Sequence, residues 1–214
     1  MIRLVERDYL ILKELNRWRI CLSRHVQHLA KFEGIRATNR RLQKLLEAGY
    51  VERKHILYGV PYIYRLTHKG KMLIGVNKQK EKIKIEQIYH DVAVIDTAIY
   101  FMLKEGLQLN NLTTEKELNI KEGFNIRKHR PDFIYTKEDE CYCVEVELTK
   151  KAKDRFESII KDNFYKYEYQ YWVVPSKELS IINSLNKNQS RYPNIKTLVL
   201  EEVIEYVRNI DTKS

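Results

Sequence analysis

The sequence predicts an α/β (α+β) chain in two parts: a basic, mostly helical N-terminal unit ending in a β-hairpin, then a mixed α/β sheet domain. Two observations predict it. The hydrophobic period is helical up to Gly49, switches to two over residues 50–67, and beyond residue 85 helical and strand-like runs alternate. The charge is also divided. Residues 1–75 hold 16 Lys and Arg against 6 Asp and Glu, whereas the remainder is balanced at 23 and 23, so the net charge of +10 sits in the first third. A local cationic excess of this kind is the electrostatic footprint of a nucleic-acid-binding module; a solvated surface face is the plainer reading. The boundaries expected are 1–75 for the basic unit, a lysine-rich polar linker at 76–84, and 85–214 for the sheet domain.

A hydrophobic content of 43% supports a buried core. No apolar run approaches the roughly 18 residues that span a bilayer, and MIRLVERDYL carries charges where a signal peptide needs an apolar core. The expectation is a cytoplasmic protein with no membrane partner. Cys21, Cys141 and Cys143 form no C-x-x-C pair; they read as reduced core or half-buried residues rather than a zinc site.

In the basic unit, RDYLILKELN (7–16) is helical, Ser23 caps a second helix through about Lys31, and Thr38 or Asn39 caps a third that Gly49 closes. Leu42, Leu45 and Leu46 form its buried stripe. His25 and His28 share a helix face, but with no third ligand in sight they read as solvent-facing or core-edge histidines. YVERKHIL and YIYRLT alternate around the turn YGVP (58–61), and HKGKMLIG is a short helix. This order, with L-x-x-L-L-E-A-G-Y-V-E-R and Y-R-L-T-x-K-G, resembles the winged helix-turn-helix of bacterial regulators over residues 5–75. The resemblance implies that the third helix enters a major groove of double-stranded DNA, with Arg36, Asn39, Arg40, Arg41, Gln43 and Lys44 as readers. Arg53, Lys54 and His55 on the wing would meet phosphates or the minor groove. A module for protein contacts is the alternative.

The second part begins with a long helix over 85–106. Strands are expected near 113–120, 130–136 and 141–149, a helix over 150–164, a strand over 167–175, then helix, strand and helix. Within it, HRPDFIYTKEDECYCVEVELTKK (129–151) places Glu145 and Glu147 on one side of a strand. Two carboxylates side by side repel unless a cation, whether Lys, Arg or a metal ion, lies between them. The tyrosines at 165, 167, 169 and 171 alternate like one strand face; a tyrosine nucleophile is the functional alternative.

P-D at 131–132 followed by E-V-E at 145–147 resembles the PD-(D/E)xK, restriction-endonuclease-like fold. That resemblance implies metal ligation by Asp132, Glu145 and Glu147, with Mg or Mn as the cofactor and a metal-activated water as the attacking group. Glu147 stands where that family has its lysine, and Lys150 or Lys151 lies just beyond the strand. A wider match takes the winged helix, H-D-V-A-V-x-D (90–96), R-P-D (130–132) and E-V-E-L-T (145–149) together. It is similar to the replication-relaxation family, which includes MOBC-type conjugative relaxases of plasmids and integrative elements. By that resemblance His90, Asp132, Glu145 and Glu147 form the catalytic site with Lys150 or Lys151 as auxiliary.

Each residue also has a structural reading: His90 as a packing contact, Asp132 as partner of Arg130 or Lys150, and the two glutamates as a strand face met by lysines. The functional expectation is a DNA-binding protein of a mobile element acting in replication, relaxation or conjugative mobilisation, by Mg- or Mn-dependent nicking if it is an enzyme. The alternative is an inactive DNA-binding accessory protein or transcriptional regulator with a degenerate nuclease-like domain. A homodimer and other replication or conjugation proteins are the further partners this reading admits.

Overall fold

The computed structural model describes residues 2–55, 61–76, 84–123 and 129–211, apart from the side chains of residues 86 and 211. It divides into two compact units, one reaching to Ile95 and the other comprising Asp96–Asn209. The division falls inside a helix that begins at Ile85. Most of the expected linker, 76–84, lies outside the described residues, as does most of the wing turn.

The first unit contains α1 (Glu6–Arg17), β1 (Cys21–Leu22), α2 (Ser23–Leu29), α3 (Ile35–Glu47), β2 (Val51–Lys54), β3 (Ile63–Leu66) and α4 (His68–Leu73). Its antiparallel sheet has the order β1-β3-β2. Ile11, Leu12, Leu15, Leu22, Leu42, Leu45, Val51 and Ile63 are buried in it. The expected order of three helices and a hairpin is present; β1, only two residues long, carried no periodic signal.

The caps differ from expectation. Asp8, fully buried, caps α1: its Oδ2 accepts the Val5 N–H at 2.8 Å. The same carboxylate receives Arg41 of α3 through Nε at 2.5 Å, which ties the two helices together. In α2 the cap is His25 rather than Ser23, because its Nδ1 accepts the Leu22 N–H at 3.1 Å. That bond explains why His25 is fully buried and not at the surface or core edge. Helix α3 starts at Ile35, before the expected caps, since the Thr38 hydroxyl is spent on the Gly34 carbonyl one turn back (3.0 Å). Gly49 ends α3 at φ +74°, as its position after the apolar stripe implies.

The T-x-K-G segment has a mechanical explanation. Thr67 caps α4 by accepting the Gly70 N–H (3.1 Å) and donates to the Gly49 carbonyl (2.7 Å). A side chain at Gly70 would start 2.1 Å from the Tyr50 carbonyl oxygen, so only glycine lets α4 approach the end of α3.

Helix α5 (Ile85–Glu105) contributes Ile88 and Val92 to a cluster with Ile20, Leu22 and Ile63 in the first unit. In the second unit follow a 3-10 turn (Leu109–Asn111), β4 (Leu112–Thr114), α6 (Glu115–Glu122), β5 (Phe133–Lys137), β6 (Glu140–Val146), α7 (Lys153–Phe164), β7 (Gln170–Val174), α8 (Leu179–Gln189), β8 (Ile195–Val199) and α9 (Leu200–Asp211). The strand expected over 113–120 is only β4. Thr114 and Glu117 form a reciprocal capping box that turns the following residues into α6.

The sheet order is β4-β5-β6-β7-β8, with β4, β5 and β6 antiparallel and β6, β7 and β8 parallel. The parallel steps are carried by α7 and α8 as crossovers. One sheet face meets α5: Phe101 packs against Phe133, Tyr135 and Tyr171. The opposite face carries Trp172, Val174 and Ile195 under Phe156, Ile159 and Ile160 of α7 and Ile181 and Leu185 of α8. Glu145 is paired in register with Trp172, so its side chain belongs to this second face, beneath α7. Gln170 opens β7, which leaves Tyr165, Tyr167 and Tyr169 in the preceding connection and only Tyr171 on the strand; the Tyr169 ring, next to the strand, still lies beside that of Tyr171.

Candidate functional site

Two surfaces gather the residues that the sequence singled out. On α3, Arg36, Asn39, Arg40, Gln43 and Lys44 are exposed and fall on the side opposite buried Thr38, Leu42 and Leu45. Arg41 turns away from this stripe. Its guanidinium binds Asp8 and the Arg3 carbonyl (3.0 Å), so it serves the packing of α1 on α3. Gln43 donates to Glu47 at 2.9 Å on the exposed face. Arg53 and Lys54 on β2 and His55 just beyond it are exposed, with the Arg53 guanidinium 4.5 Å from the Tyr62 ring centroid.

The second surface is the carboxylate cluster at the C-terminal end of β6. Glu145 and Glu147 are 3% and 4% exposed, so both are acids taken out of water. Glu145 Oε1 lies 2.5 Å from His129 Nε2 and accepts the Asn163 amide N–H at 2.9 Å. Glu147 is met by the ammonium of Lys151, which reaches back from the loop after the strand. Lys150 is exposed and lines a pocket at the start of α7. Asp132, just before β5, accepts the Val146 N–H through Oδ2 at 2.7 Å, which fastens it to the neighbouring strand between the two glutamates. Arg130 meets Glu122 (3.2 Å) and the Gly123 carbonyl (3.0 Å) at the end of α6. His90 lies on the first-unit part of α5, with its Nδ1 3.8 Å from Asp91 Oδ1.

Two participants were not among the sequence candidates. His129 stands directly before R-P-D, and proximity to that motif was its only signal. Asn163 had a clearer one: it occupies a buried position in the stripe Phe156, Ile159, Ile160, where an apolar residue is expected. Its amide is there to bond Glu145.

Burial holds the Glu145 carboxyl above its ordinary value. The hydrogen bonds and charge of His129 and the Asn163 amide pull it back, and the nearby Asp132 charge pushes it up again. The Tyr167 hydroxyl is likewise pushed up by burial, which opposes the phenolate that a tyrosine nucleophile needs.

These donors do not fit a divalent ion as they are arranged. Glu145 Oε1 already has two partners, Glu147 already has a cation, and Asp132 Oδ2 holds a backbone N–H. Among the described residues, no group of three or more His, Cys, Asp or Glu is disposed to hold a metal ion.

A family model described as replication-relaxation matches residues 12–171, which include most of the first unit and the second through β6, α7 and the start of β7. The chain belongs to the replication-relaxation family. No curated protein matches it. Within this family member, the match takes in both the α3 stripe and the carboxylate cluster. Among the described residues, no helix is long and apolar enough to cross a membrane.

The electrostatics carry a pH signature. A carboxylate with a raised folded pKa binds its proton more tightly in the native than in the unfolded chain. Its contribution therefore favours folding at low pH and is lost as pH rises through the folded value. Carbon-detected titration of Glu145 should give a midpoint above 4.5, the ordinary value for a glutamate. A midpoint at or below it would contradict this assignment.

Proposed function

We propose that this replication-relaxation protein binds double-stranded DNA through its first unit, in replication, relaxation or conjugative mobilisation of a plasmid or integrative element. The second unit is an accessory α/β domain whose acidic cluster is neutralised from within. The single observation that carries the DNA reading is the exposed stripe Arg36, Asn39, Arg40, Gln43 and Lys44 on α3, the helix before the hairpin. Guanidinium and amide groups on one helix face are the side chains that read base edges in a major groove, and Arg53 and Lys54 suit phosphates beside it. Homodimerisation would match a two-fold symmetric DNA site.

The DNA reading is tested by mobility shift with duplex DNA from the element that carries the gene. Arg36→Ala with Arg40→Ala should weaken binding by about tenfold or more, and the wild-type affinity should fall steeply as salt is raised. Arg41→Ala should instead lower the melting temperature, because it leaves buried Asp8 without that cation. Binding insensitive to salt and to the α3 substitutions would overturn the reading.

A second reading, strand nicking, is favoured by the place of Asp132 just before β5, bonded to the Val146 N–H beside Glu145 and close enough to raise the Glu145 pKa. Incubation with supercoiled DNA and Mg²⁺ or Mn²⁺ discriminates. The proposal expects the DNA to stay supercoiled. Conversion to open circle by wild type, abolished by Asp132→Ala and Glu145→Ala, would make the protein a metal-dependent nickase.

A further inference from the structure

The second unit holds a pocket of about 530 Å³ between the start of α7 and the exposed side of α8. That volume lies within the roughly 300–1,000 Å³ range of small-ligand sites. Its chemistry is uneven in a useful way. Four lysines line it, Lys150, Lys151, Lys153 and Lys187, against one acid, Glu157. Glu157 is 3.9 Å from Lys153 in a solvent-exposed pair, and Lys151 is engaged by Glu147. The lining keeps a clear cationic excess.

The α8 wall is polar at helical spacing. Ser180, Asn183, Ser184, Lys187 and Asn188 follow an i, i+3, i+4, i+7, i+8 pattern. This stripe runs beside the apolar pair Ile181 and Leu185, which faces the core. Asn188 donates one N–H to the Ser184 carbonyl (2.9 Å) and retains its oxygen and second N–H. The floor includes the buried Phe156 ring and Ile181. At one edge lies the first turn of α7, where Ala152 occupies the N-cap and supplies no capping side chain. The positive end of that helix dipole adds to the lysines.

From these features we infer that the α7–α8 pocket binds the phosphate and base of a nucleotide unit, separately from duplex binding by the first unit. Ammonium groups and the α7 N-terminus take the phosphate. Amides and hydroxyls of α8 take the donor and acceptor groups of the base edge. An acidic peptide would use the lysines, whereas the close-set amides and hydroxyls of the α8 stripe match the donor and acceptor edge of a base. The same nucleotide chemistry is offered by a free mononucleotide and by a single strand, and the two differ in the length of chain that must follow the phosphate.

The test uses the isotope-labelled full chain titrated with a deoxynucleoside monophosphate, a short single-stranded oligodeoxynucleotide, and an acidic peptide. The nucleotide ligands should shift resonances of the α8 stripe and the first turn of α7, and the shifts should saturate. Lys153→Ala with Lys187→Ala should weaken this binding by about tenfold, with the melting temperature and duplex affinity unchanged. Equal affinity for mononucleotide and oligonucleotide supports a free nucleotide as the ligand; binding of the oligonucleotide alone supports a strand. Shifts confined to the first unit, an acidic peptide binding as well as the nucleotides, or an unaffected double variant would each overturn the site. Loss of duplex binding in the α3 variants, with these shifts intact, would separate this site from the DNA-reading surface.

Discussion

Burial of two carboxylates on one face of β6 is the constraint around which the second unit is arranged. Glu145 and Glu147 follow strand alternation onto the side covered by α7, where water is excluded. An uncompensated buried charge costs several kcal/mol, so partners must come from the surrounding elements. They come from three directions: His129 from the segment before β5, Asn163 from the far end of α7, and Lys151 from the loop between β6 and α7. Each contact fixes a different piece of backbone. The parallel crossover from β6 through α7 to β7 is thereby held at both of its ends, by Lys151 where it leaves the strand and by Asn163 where it returns.

The same principle operates on a smaller scale in the first unit. Asp8 is fully buried and is satisfied by a backbone N–H of its own helix and by Arg41 of α3. That pair orients α3 so that its remaining polar residues face outward. One arginine of the basic helix therefore serves the fold, while Arg36 and Arg40 stay exposed. In both units an acidic group inside the protein decides which basic groups remain outside it.

Much of this was legible in the sequence, where periodicity carried the signal. The order of helices and hairpin, the stop at Gly49 and the mixed sheet could be read from apolar spacing and turn glycines. Misreadings arose where a side chain competed with the pattern. Residues 115–120 were expected to continue a strand, yet the Thr114–Glu117 capping box makes them helical. Thr38 looked like a cap and instead bonds back within its helix. The carboxylates were found from their two-residue spacing, and a cation beside them was required on electrostatic grounds. The identities of His129 and Asn163 were hidden because they come from 16 and 18 residues away along the chain. Only the fold closes those separations. Asn163 was still detectable as a polar residue in an apolar stripe, whereas His129 had no pattern to break.

Membership of the replication-relaxation family points to a role in the replication or relaxation of mobile elements. The first unit offers an exposed cationic face on α3, while the second turns Glu145 and Glu147 inward. The claim at the centre of this account is that Glu147 and Lys151 neutralise each other inside the second unit. A double-mutant cycle of Glu147→Gln and Lys151→Met, read by chemical denaturation at neutral pH, tests it most directly. Lys151→Met alone should destabilise by about 3 kcal/mol or more, because it takes the Lys151 cation away from a buried carboxylate, and adding Glu147→Gln should recover part of that loss. Strictly additive effects, with no recovery in the double variant, would contradict it.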